Sequence, residues 1–104
     1  MRKFHHIGLP TMEGQPGEWY VEETKVWVTE PEAHPFKVEY LRYESDSPVT
    51  GPLRELPHVC FETDDYQRDI EGKEVILGPF RPDDTRTVVF VMCDGCVFEY
   101  MQYD

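Results

Sequence analysis

Residues Phe4–Thr11 read FHHIGLPT, a short apolar strand that opens on two imidazoles and runs out at Pro10. Neighbouring side chains of a strand point to opposite faces. His5 and His6 are therefore expected to look away from each other, His6 toward a site and His5 toward packing or solvent. A histidine held inside an apolar strand needs a polar partner, and that partner must come from elsewhere in the chain. A second stretch, residues 57–64, reads PHVCFETD, and aligning HIGL at 6–9 with HVCF at 58–61 superposes His6 on His58.

The ends of the two halves match as well. FKVEYLRYE at 36–44 resembles CVFEYMQYD at 96–104, and laying VEYL at 38–41 over FEYM at 98–101 superposes Glu39 on Glu99. Two matches in the same order, each carrying one potential metal ligand, indicate an internal duplication. Residues 45–56, SDSPVTGPLREL, are rich in Pro, Gly and small polar residues and read as a linker. The expected organisation is one domain spanning 1–104, with a first module at 1–44, the linker at 45–56 and a second module at 57–104.

Alternation and β-branched or aromatic enrichment place strands at about 3–10, 24–30, 36–44, 57–63, 73–79, 85–93 and 96–103. Asp94-Gly95 between the last two is a strong hairpin signal. A short helix is expected at 65–71, capped by Asp64 or Asp65 and ended by Gly72, with a weaker helical stretch at 17–23. The first half thus has room for three strands and a short helix, one strand being lost or merged.

The duplication supplies two histidines and two glutamates, one pair per half: His6 with Glu39, His58 with Glu99. Two imidazoles and two carboxylates suit one divalent first-row metal ion with positions left open for water or substrate. With a two-residue Asp94-Gly95 turn, Phe90 stands opposite Glu99 and Met92 opposite Val97. Cross-strand partners share a face, so Phe90, Met92 and Met101 lie on the Glu99 face, and Cys60 shares the His58 face. These four residues are the candidate substrate contacts in an apolar pocket. Cys93 and Cys96 are spaced C-x-x-C, but with no second such pair they read as residues flanking a hairpin turn.

This pattern resembles the vicinal oxygen chelate superfamily, the glyoxalase and bleomycin-resistance fold of paired βαβββ modules. Members open a module with a strand such as HHIGL, place a second His in a strand similar to PHVCFETDD, and close each module with a strand such as VEYL or FEYM. The resemblance implies an α+β fold of two βαβββ-type modules, the first shortened, forming a curved mixed β-sheet around a central cavity. It implies metal ligands at His6, Glu39, His58 and Glu99, with Glu39 or Glu99 as the catalytic base. The metal expected is one of Zn, Ni, Co, Mn or Fe. The function implied is that of a small glyoxalase-like member, a lyase or isomerase acting on a small oxygenated metabolite through a metal-stabilised enediolate. The alternative is a bleomycin-resistance-type protein that binds or sequesters a small molecule without catalysis. The resemblance also implies a homodimer.

Composition bounds the partners. The 104 residues carry 21 acidic against 10 basic side chains, a net charge of −11. That balance disfavours nucleic acid and anionic membrane surfaces, which attract positive charge. Thioester substrates fit such a charge only if Lys37, Arg42 or Arg54 approaches the site. No apolar run nears the ~18 residues of a membrane span, and an odd count of three cysteines is unlike a secreted disulfide framework. A cytoplasmic protein acting on a small molecule is the expectation.

Overall fold

The sequence halves become the halves of one sheet. The computed structural model describes residues 2–104. Among them the first half contributes β1 (Arg2–Pro10), β2 (Trp19–Val21), β3 (Val26–Val28) and β4 (Val38–Tyr43). The second contributes β5 (His58–Thr63), β6 (Glu74–Asp83), β7 (Arg86–Cys93) and β8 (Cys96–Tyr103), with single-turn helices α1 (Pro52–Glu55) and α2 (Tyr66–Asp69). The strands lie in the order β2-β3-β4-β1-β5-β8-β7-β6 in one curled mixed sheet. Read outward from the central β1–β5 seam, each half has the same order. Its first and last strands are parallel neighbours, β1 with β4 and β5 with β8, and its middle strands add antiparallel at the outer edge.

The first half therefore keeps all four strands, against the expectation of a lost or merged one. Residues 17–23 form β2 and part of a turn instead of a helix. Trp19, Tyr20 and Val21 are good strand formers and pair with Val28, Trp27 and Val26. Lys25, at φ 49°, donates its backbone N–H to Glu22 O at 3.3 Å and closes the turn. What the first half lacks, among the described residues, is a helix between β1 and β2. The expected strand at 24–30 shortens because Pro31 opens a 3₁₀ turn whose N–H at Glu32 is capped by the Glu30 carboxylate.

In the second half α2 begins as expected, with the Asp65 side chain accepting from Arg68 N at 3.2 Å. Asp94 and Gly95 take φ 53° and 76°, and the hairpin holds Phe90 opposite Glu99 and Cys93 opposite Cys96. β7 is buried on both faces, so it reads as a continuous apolar run. Val88 and Phe90 pack with Val49, Leu53, Cys60, Val97 and Met101 on one face. Val89 and Val91 pack with Tyr100 on the other, flanked by Tyr66 and Ile70 of the α2 region. The 45–56 segment is accordingly more than a linker, since Val49 and Leu53 are core residues. Among the described residues no helix is long and apolar enough to cross a membrane.

Candidate metal centre

Strand register brings the four predicted ligands to the seam between the halves. Gly8 stands opposite Glu39 across β1–β4 and opposite His58 across β1–β5, where His6 stands opposite Cys60. Cys60 in turn stands opposite Glu99 across β5–β8. Residues in register share a face, so both histidines and both glutamates project from one side of the sheet. His6 Nε2 lies 3.3 Å from Glu39 Oε1 and 3.4 Å from Glu99 Oε1. His58 Nε2 lies 3.1 Å from Glu99 Oε1 and 3.9 Å from Glu39 Oε1.

The duplication explains how two imidazoles fit side by side. Gly8 and Cys60 occupy equivalent places, each two residues after its own histidine and opposite the other half's histidine. A Cβ on Gly8 would sit 2.0 Å from His58 Cε1, so the imidazole fills the space a side chain would take. Glycine inside a central strand otherwise weakens it, and here it marks a close approach. Cys60, fully buried, is the corresponding small residue opposite His6.

Four polar groups in this pocket would be costly if left to one another. The side chains of His6 and His58 are 5% and 2% exposed. Despite the short distances, neither Nε2 is aimed at a carboxylate oxygen well enough to hydrogen-bond, and both atoms are buried without a partner. Such orphaned buried atoms are rare. Ligand atoms around a tetrahedral ion with bonds of about 2.05 Å stand about 3.3 Å apart. The observed 3.1–3.9 Å separations bracket that value, so the donor set fits a divalent ion. Burial opposes charge on His6, but the Glu39 and Glu99 carboxylates outweigh it and push its pKa up to about 10. Burial likewise opposes charge on Glu99, and His58 and His6 together hold its carboxyl well below the usual range. Burial, then the nearby Glu99 and Glu39 charges, push the Cys60 thiol up, so it stays protonated.

His5 does not face away as strand alternation predicts. A bulge between Phe4 and His6 inserts His5 as an extra residue and turns its ring onto His6, with the two Nδ1 atoms 2.7 Å apart. Burial, followed by the neighbouring His6, pushes the His5 pKa down. A proton on His6 Nδ1 donated to a neutral His5 leaves His6 Nε2 as the bare nitrogen a metal takes. A bulge leaves no trace in the alternation pattern, so nothing in the sequence signalled this contact.

Three of the four predicted ligands, His6, Glu39 and Glu99, border a cavity of about 80 Å³ whose wall also includes Phe90 and apolar Val26, Leu41 and Phe80. Trp19, 43% exposed, also borders it. Of the other expected substrate contacts, Cys60 and Met101 lie in the core cluster on the same face and Met92 packs against it; these three lie behind the cavity wall. None of Lys37, Arg42 and Arg54 borders the cavity: Lys37 pairs with Glu32, Arg42 with Glu18, and Arg54 lies over the Tyr43 ring. The Lys or Arg side chain in the wall, among the described residues, is Arg86. Its signal was present: the alternation that places Phe90 on this face extends through Val88 to Arg86. Cys93 and Cys96 are free thiols opposite each other in the hairpin.

Among solved structures the chain is similar to a hypothetical protein from Bacillus halodurans C-125, at TM-score 0.68 and 14% identity over 99% of this chain and 95% of that one. It is also similar to methylmalonyl-CoA epimerase from Mycobacterium tuberculosis, at TM-score 0.64 and 9% identity over 97% and 87% of the two chains. At such identities the likeness is one of fold. No family model matches the chain, and no curated protein matches its sequence.

Proposed function

We propose that the chain binds one divalent metal ion through His6, Glu39, His58 and Glu99 and acts as an isomerase or lyase on a small metabolite with two adjacent oxygens. The observation that carries this reading is the pair of buried, unpartnered Nε2 atoms flanked by two carboxylates. A vicinal-oxygen-chelate-like fold, shared with an epimerase, supports it. The ion would supply Lewis acidity, stabilising negative charge that develops on a carbonyl oxygen. Glu39 is the base: its side chain is the more exposed carboxylate, 17% against 10%, it borders the cavity, and its 3.9 Å contact with His58 is the loosest of the four. From there it takes a proton from the carbon next to a substrate carbonyl. The two imidazoles and Glu99 hold the centre in place, and the apolar wall keeps bulk water from the reacting carbon.

Elemental mass spectrometry of wild type, His6→Ala and Glu99→Gln tests the centre. About one metal ion per chain, lost in both variants, supports the reading. A wild-type protein that takes up neither Zn nor Ni would overturn it. Deuterium exchange at the α-carbon of hydroxy and keto acids, followed by NMR, then tests the chemistry, and Glu39→Gln is expected to abolish it. The largely apolar wall favours one second reading, a binding protein that holds a small molecule without turnover. Tight binding with no exchange would establish that alternative.

A further inference from the structure

Arg86 is out of keeping with the cavity it enters. Its register partners place it with Val88 and Phe90 on the Glu99 face, its Cα about 14 Å along β7 from that of Phe90 at a strand rise of about 3.4 Å per residue. Its side chain is 23% exposed. One guanidinium N–H is donated to Met101 Sδ at 3.1 Å, and a thioether is a weak acceptor. Nε is buried without a hydrogen-bond partner. Asp83 Oδ2 lies 3.2 Å from it but off the N–H direction, and that carboxylate side chain is 44% exposed and screened by solvent. A guanidinium so placed loses hydration without gaining a matched acceptor.

From this geometry we infer that Arg86 is the subsite for a carboxylate of the substrate, which makes the substrate class a short α-oxygenated acid with a second, distal carboxylate. The inference deepens the proposed function and rests on it. Two carboxylates balance a divalent ion, and Arg86, whose charged partner Asp83 is itself 44% exposed, is the guanidinium in the cavity wall that an entering anion meets. Its planar fork matches a carboxylate in a bidentate manner. A phosphate or a nucleotide-bearing thioester asks for more positive charge, while the chain carries −11 overall and the cavity measures about 80 Å³. The Arg86 guanidinium reaches back along the sheet to Met101, which stands opposite Val88, so the acid's adjacent oxygens would face the predicted metal ligands and its distal carboxylate the guanidinium.

Calorimetry with two probes tests this. α-Ketoglutarate carries the distal carboxylate, and α-ketovalerate carries a methyl group in its place. Metal-loaded wild type is expected to bind the first at least ~10-fold more tightly, a single charge-assisted pair being worth about 1.5–3 kcal/mol. Arg86→Gln should erase that preference while leaving α-ketovalerate affinity and metal content unchanged, and Arg86→Lys should restore part of it. Metal content is measured on the same samples. Equal affinity for both acids in wild type, no binding of either by metal-loaded protein, or an undiminished preference in folded Arg86→Gln overturns the Arg86 inference alone. Failure of wild type to hold metal overturns the underlying reading instead.

Discussion

At the scale of single residues, the proposed centre depends on one missing side chain as much as on its four predicted ligands. Gly8→Ala places a Cβ inside the His58 ring volume, so the imidazole must leave its place. Metal affinity is expected to fall about 10–100-fold, the range for losing a group that orients a ligand, while the protein remains folded; unchanged affinity by metal titration would show that His58 is not held against Gly8. His6 makes a second prediction. In metal-free protein its pKa is raised from 6.5 to about 10, so the proton it holds stabilises the fold fully below pH 6.5, and that contribution is lost as pH rises through 10. Urea midpoints of metal-free protein should decline across this window. Metal uptake must displace the same proton, so affinity should rise with pH over the same interval.

At the scale of elements, the segment at 45–56 shows where composition misleads. Pro, Gly and Ser correctly mark it as irregular, but Val49 and Leu53 within it are 6% and 5% exposed. They close the cavity-side core against Cys60, Val97 and Met101. Leu53→Ala is expected to cost about 2–5 kcal/mol, as for a buried leucine, measured by urea denaturation. A cost under about 0.5 kcal/mol, typical of surface positions, would return the segment to the status of a tether. β2 is hard to read for a related reason. A three-residue strand offers too little alternation to separate from a helix turn, and its pairing, with the Tyr20 and Trp27 rings tilted and 5.0 Å apart, is a tertiary fact.

At the scale of the whole molecule, the site exists only because the halves meet. Each half supplies one histidine and one glutamate, and neither half alone has a complete set. Metal binding should therefore stabilise the folded chain as a unit, by about 2.7 kcal/mol at a free concentration 100 times Kd. Stability that rises with Zn or Ni and falls with chelator checks this, and indifference to metal would mean the native ligands do not hold it. The placing of His6 and Glu39, and of His58 and Glu99, on the first and last strands of each half, and the Asp94-Gly95 hairpin register, were legible from local pattern, because period-two alternation and turn chemistry act over a few residues. The approach of β1 to β5, the His5 bulge, the space above Gly8 and the entry of Arg86 into the cavity were decided by tertiary structure. Each of these depends on distances between strands far apart in the chain, which no local periodicity encodes.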